Sequence, residues 1–157
     1  MSVHTAPQVH TLHPGDVVCA GRGQTLQTLL GSCVAVILTD RQRTLGAMCH
    51  IVHAAQAPSA LRDSTAHAGP ALRRMYTLLQ ARGIAAPHCQ AYVFGGGNMF
   101  PAQYGPAHVG ADNARAVLQA LADAGIELLY NDTGGARYRR LRWTVGSSTP
   151  QVTAVAV

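Results

Sequence analysis

Leu29-Leu30-Gly31-Ser32-Cys33-Val34-Ala35-Val36-Ile37-Leu38 reads as an apolar strand with a cysteine at its head, directly behind a Gly-Ser pair. A thiol at the mouth of such a turn lies beside backbone N–H groups of small residues. That is a workable build for a cysteine nucleophile with an oxyanion hole. The competing reading makes Cys33 a small buried hydrophobe, the commoner state of a free cysteine.

The segment that follows favours the first reading. After the polar residues 39–44 comes a second apolar run, Leu45-Gly46-Ala47-Met48-Cys49-His50-Ile51-Val52-His53. The pattern predicts a β-hairpin of strands 33–39 and 44–53 with its turn centred on Arg41-Gln42. Cys33 and His50 are equidistant from that centre, so they become cross-strand partners with Cβ atoms roughly 5 Å apart. Strand parity puts Cys49 and His53 on the other face. One cysteine and one histidine are thereby selected from two of each.

The rest of the chain bounds the problem. Its 157 residues, 48% apolar and 12% charged, suit one compact domain over 1–157, with residues 1–13 as a loose N-terminal arm. The net charge of +5 reads as a mildly basic soluble surface. No basic run with interleaved aromatics appears, so no nucleic-acid partner is expected. Arg137-Tyr138-Arg139-Arg140-Leu141-Arg142 reads as a solvated face of a late strand. No secretory signal and no span-length apolar run are present, so the expectation is a cytoplasmic protein with no membrane insertion. Cys19, Cys33, Cys49 and Cys89 lie far apart, which fits neither a disulfide framework nor a zinc ribbon. His50 and His53 face opposite ways in a strand, so no shared metal is expected, nor any cofactor.

Further elements follow from local pattern. Residues 17–20 read as a strand and 54–66 as a surface loop. Helical spacing covers 70–82, burying Leu72, Met75, Leu78 and Leu79, and 113–124, burying Ala114, Val117, Leu118 and Leu121. Strands are predicted at 90–94 and 126–130, a turn at 132–135, and a last hairpin at 139–145 and 152–157. Gly95-Gly96-Gly97-Asn98-Met99-Phe100 lacks the Gly-Lys-Ser/Thr of a phosphate loop, and reads instead as a place of close backbone approach. The class is α/β (α+β), with layered sheets.

Taken together, these segments resemble the chemoreceptor glutamine deamidases of bacterial chemotaxis, the CheD family. Leu30 to Val36 is similar to that family's nucleophile motif, and Gly46-Ala47-Met48-Cys49-His50 to its histidine strand. Phe94 to Phe100 is similar to its glycine-rich loop, Gly110-Ala111-Asp112-Asn113 to its helix start, and Asp132-Thr133-Gly134-Gly135 with Arg139 to its late turn. The resemblance implies a layered α/β/β/α sandwich with catalytic Cys33 and His50 on adjacent strands. It implies a threonine upstream of the cysteine as third catalytic residue, for which Thr28 is the nearest candidate. Gly31, Ser32, Gly95, Gly96 and Asn98 would bind substrate or support the loops. The implied reaction deamidates glutamine side chains of methyl-accepting chemotaxis receptors to glutamate, releasing ammonia. Some members also hydrolyse glutamate methyl esters, and some bind a CheC-type phosphatase. The alternative is therefore a weakly catalytic or non-catalytic regulator of such a phosphatase. This chain departs from the pattern at Ile51-Val52-His53-Ala54-Ala55, where a Leu-Pro is usual, and at Tyr92, where a lysine is common.

Overall fold

The computed structural model describes residues 8–54, 59–105 and 108–155. Residues 1–7 of the expected arm, 55–58 of the expected loop and the last two residues of the final hairpin lie outside them. The apolar run that opens the sequence reading is not one strand. Leu29 and Leu30 end β3 (Thr25–Leu30), while Val34 begins β4 (Val34–Asp40), and these strands belong to different sheets. Gly31-Ser32-Cys33 is the crossover between them. Leu30 and Val34 are both fully buried, so apolar character runs unbroken across a change of sheet. Only the Gly-Ser pair marks the break.

The remaining elements are β1 (Val9–Leu12), β2 (Val17–Gly21), β5 (Leu45–Ile51), α1 (Ala68–Gln80), β6 (Cys89–Gly95), α2 (Pro101–Tyr104), α3 (Val109–Asp123), β7 (Glu127–Thr133), β8 (Tyr138–Thr144) and β9 (Gln151–Val155). They form a four-stranded sheet, β1-β3-β8-β9, and a five-stranded sheet, β2-β5-β4-β6-β7. Leu26, Leu30, Ala35, Ile37, Met48, Phe94, Leu141 and Trp143 fill the space between the sheets. Val36, Leu38, Cys49 and Ile51 point the other way, against Leu72, Met75 and Leu79 of α1 and Val117 and Leu121 of α3. Period-2 alternation in β4 and β5 thus serves two cores, one per face.

The expected α/β class and packed sheets are found. Among the described residues both long helices lie on the five-stranded sheet, giving layers α/β/β. The outer face of the other sheet carries exposed Leu29, Arg140, Arg142 and Thr153, alternating with buried Leu30, Leu141 and Trp143. A half-polar antiparallel face of that kind can stand in water without a fourth layer.

The β4–β5 hairpin differs from expectation by two register positions. Ala35, not Cys33, pairs with His50, and the ladder's mouth is Val34–Ile51. The turn is centred one residue later because Asp40 closes it. Its carboxylate accepts from Thr44 N at 2.7 Å, Thr44 Oγ1 at 2.6 Å and Leu45 N at 3.0 Å, and Arg43 takes φ +58°. A shift of two preserves parity, so Cys33 and His50 keep the same face.

Other corrections are local. Residues 9–12 form β1, paired parallel to β3, rather than part of a loose arm. Strand β7 runs on through Asp132 and Thr133, leaving the turn to Gly134-Gly135. In β8 it is Arg139, with Leu141 and Trp143, that turns inward, so the arginine run is not one solvated face.

Candidate active site

Thr28 and His50 are joined by a hydrogen bond, and Cys33 borders the same inter-sheet core. Thr28 lies between Leu26 and Leu30 on the inward face of β3, and His50 on the inward face of β5. Both are buried, at 5% and 3% exposure. Cys33, one residue before β4, is half-buried and packs on the same inter-sheet core. The site therefore lies where the two sheets come together, at the crossover that joins them.

The hydrogen bonds fix the imidazole's tautomer. Thr28 Oγ1 is 2.8 Å from the carbonyl oxygen of Leu12 and 2.7 Å from His50 Nδ1. A carbonyl only accepts, so the single hydroxyl proton goes to Leu12. Nδ1 must then carry a hydrogen and donate it to Thr28. A neutral imidazole protonated at Nδ1 leaves Nε2 with its lone pair, as a base requires. The backbone of His50 is held too. Its N–H donates to Asp16 O at 3.1 Å, and its carbonyl accepts from Gly15 N at 2.8 Å.

Burial sets the charge state. Desolvation holds the His50 imidazole below its ordinary value, opposed by the nearby Asp16 carboxylate and reinforced by His13. Desolvation likewise pushes the Cys33 thiol above its ordinary value. Both shifts favour the neutral form of each group at rest.

The glycine-rich loop holds the crossover from the other side. Gly96 N donates to Cys33 O and Gly97 N to Gly31 O, each at 2.9 Å, and Asn98 N donates to Gly135 O at 2.8 Å. A Cβ on Gly95 would collide with the Cys33 carbonyl, and its φ of +113° is glycine territory. This is the close approach expected from sequence. With those amides engaged, the loop does not form a phosphate cradle. Asn98 serves its own loop, donating to Gly105 O at 2.9 Å and accepting from Phe100 N at 3.1 Å. Ser32 is exposed. With Gly97, Met99, Phe100, His108 and Val109 it lines a cleft of about 300 Å³ beside the crossover.

His53 is elsewhere, as parity requires: it is exposed, with its ring 5.0 Å from that of His67. Two supporting residues escaped the sequence reading of roles. Arg139, buried, reaches Gly95 O at 3.3 Å, Gly134 O at 2.6 Å and Asp132 Oδ1 at 3.2 Å. An inward arginine at period two from Leu141 and Trp143 was the available signal. Asn113, also buried, holds backbone groups from two other segments. Its signal was a polar residue on the helix stripe of Val117 and Leu121.

Comparison with known proteins identifies the family. A family model described as CheD chemotactic sensory transduction matches residues 53–153. A probable chemoreceptor glutamine deamidase CheD 2 of Albidiferax ferrireducens is 34% identical over 87% of this chain and 81% of its own length. The chemoreceptor glutamine deamidase CheD of Thermotoga maritima is 32% identical over 85% of this chain and 78% of its own. A solved structure, Neisseria meningitidis protein NMB0706, superposes with a TM-score of 0.52 at 17% identity, over 83% of this chain and 65% of that one; this likeness speaks to fold alone. By sequence, this chain belongs to the CheD family.

Proposed function

We propose that this protein is a cysteine-dependent protein-glutamine deamidase acting on chemoreceptors. The carrying observation is the Thr28–His50 hydrogen bond at 2.7 Å, which leaves Nε2 of a buried imidazole free on the face that Cys33 shares. In this reading Cys33, His50 and Thr28 are nucleophile, base and orienting residue.

Attack begins as Nε2 takes the thiol proton and Sγ bonds to the glutamine carboxamide carbon. The carbonyl π electrons move to oxygen. N–H groups of the Gly31–Cys33 crossover face that oxyanion, each good donor worth about 3 kcal/mol. Gly96 and Gly97 already donate elsewhere, so their role is to shape the crossover. The intermediate collapses by breaking the C–N bond. The proton on Nε2 passes to the leaving nitrogen, and ammonia departs. A water then loses a proton to Nε2 and attacks the thioester carbon. The C–S bond breaks, the proton returns to sulfur, and the product is glutamate. Deprotonation occurs during attack, because the resting pair is neutral and no standing thiolate is held.

The test is mass spectrometry of receptor peptides incubated with the protein, in which each deamidated glutamine gains about one mass unit, alongside ammonia release. Wild type converts receptor glutamines, and Cys33→Ser does not, a hydroxyl being the weaker nucleophile. Conversion by Cys33→Ser at the wild-type rate would overturn the assignment.

A further inference from the structure

Asn113 stands five residues into α3, on the stripe that carries Val117 and Leu121 into the core. An apolar residue would pack there. Asparagine is also a poor helix former. Its carboxamide nevertheless satisfies three backbone groups. Nδ2 donates to Ser32 O at 3.2 Å and to Val52 O at 3.0 Å, and Oδ1 accepts from Ala54 N at 2.9 Å.

These partners are the segments that carry the chemistry. Ser32 precedes the nucleophile, and Val52 lies two residues past the base. Both stand just beyond the β4–β5 ladder, whose last pair is Val34–Ile51. The next rung would join Cys33 to Val52, but the chain has turned toward the other sheet there. The two N–H bonds of one side chain span this mouth where backbone pairing ends. The same helix turn is seated on the glycine loop, for a Cβ on Gly110 would collide with the carbonyls of Gly96 and Gly97. Helix α3 is thus registered against all three loops at the site.

We propose that Asn113 is a positioning residue that sets the separation of Cys33 from His50 by tying the crossover to the end of β5; this rests on the reading of Cys33 and His50 as nucleophile and base. The role requires two donors and one acceptor on one short planar group. Aspartate keeps the shape and acceptor, but presents an oxygen to the Ser32 and Val52 carbonyls. The two segments are then pushed apart rather than joined.

Asn113→Asp and Asn113→Ser are compared with Val117→Ala, which removes buried volume one turn along without touching either segment. Fold is checked by melting temperature. The readouts are kcat and KM on a receptor fragment, and iodoacetamide labelling of Cys33 with and without His50→Gln. Asn113→Asp is expected to lower kcat at least about tenfold with KM changed less than about threefold, the pattern of lost alignment rather than lost binding. It should also abolish the effect of His50→Gln on Cys33 labelling. Val117→Ala should lower the melting temperature and keep both kcat and that coupling. Asn113→Ser decides the matter where Asn113→Asp does not fold. Wild-type kcat and coupling in a folded Asn113 variant would overturn the proposal. So would an equal kcat loss in Val117→Ala, or failure of both Asn113 variants to fold while Val117→Ala folds. A Cys33→Ala protein of undiminished activity would instead defeat the underlying reading, whatever Asn113 does.

Discussion

Thr28→Val removes the hydroxyl that links Leu12 O, Thr28 and His50 Nδ1 while keeping the branched shape. Thr28 and His50 are 5% and 3% exposed, so water does not readily replace either lost bond. Each buried group left unsatisfied costs about 1–3 kcal/mol, giving a stability loss of about 2–6 kcal/mol for the two. In a domain of this size that is a fall in melting temperature of roughly 4–24 °C. The catalytic loss is separate. The bond to Nδ1–H, worth about 1–1.5 kcal/mol, is what selects the tautomer with Nε2 free, so its removal lowers kcat/KM about tenfold.

Thr28→Ser separates the two effects. It keeps both hydrogen bonds and loses one methyl, about 1 kcal/mol of stability, and should retain activity near wild type. The assays are ammonia release from a receptor fragment and the ¹⁵N shifts of the His50 ring, which distinguish a protonated Nδ1 from a protonated Nε2. If Thr28→Val keeps both wild-type turnover and the Nδ1–H tautomer, the hydroxyl does not orient the base.

Four further outcomes are expected. His50 is held below its ordinary value in the folded protein, so the unfolded chain takes up a proton there that the folded chain refuses. Its contribution to stability is therefore intact above about pH 6.5 and is lost as pH falls from there toward the lowered folded value; a wild type that loses no more stability than His50→Gln between pH 7 and pH 5 would contradict this. The Cys33 thiol, raised by burial, should label with iodoacetamide more slowly than free cysteine, yet before Cys49 and Cys89, which burial pushes up to about 12 and about 11; labelling at or above the free-thiol rate at pH 7 would mean a resting thiolate. Arg139→Met strands the Gly134 carbonyl, leaves Gly95 O only the Gly134 N–H and unpairs Asp132, and should cost about 2–4 kcal/mol by denaturant unfolding; a loss under about 0.5 kcal/mol, the range of an ordinary surface change, would show the arginine to be peripheral. His53→Asn should leave turnover near wild type, since that exposed ring lies beyond the end of β5, 5.0 Å from that of His67 and beside α3; a loss as large as that of His50→Gln would place the base wrongly.

How much of this was legible in the sequence depends on which interactions are local. Parity alone separated His50 from His53 and Cys33 from Cys49, and that conclusion survived a register error because the error was an even number of residues. The error arose because Asp40, read as turn composition, is the residue that caps the turn and moves its centre. The helices were readable from their apolar stripes, but the 29–38 run was not, since both of its halves are buried and the chain changes sheet between them. Strand β1 was missed for a related reason. Its partner is parallel and has no turn to announce it. Thr28 could be reached only by resemblance, because its bond to His50 crosses between sheets. Arg139 shows the limit of reading charge as surface: its guanidinium is drawn inward by two backbone carbonyls and a carboxylate that no local pattern brings together.

The placement of the site between sheets also explains its charge state. A thiolate–imidazolium pair would have to sit at the end of the inter-sheet core that Cys33 and His50 border, and the same desolvation that raises Cys33 and lowers His50 opposes it. On the proposed roles the pair is therefore neutral at rest. On the proposed mechanism, what remains to lower the barrier is geometry: a base whose tautomer is fixed, a crossover whose backbone is pinned by Gly96 and Gly97, and developing charge that passes from sulfur to the substrate oxygen as the bond forms. On the proposed roles, such a site is expected to react slowly with small electrophiles and faster with an amide delivered in line with Nε2. Selectivity then rests on what the cleft beside Ser32 admits. Exposed Phe100 and Val109 on its rim offer apolar contact and no charge with which to grip free glutamine's own ammonium and carboxylate. A side chain presented by a larger surface meets that requirement, and a free amino acid does not.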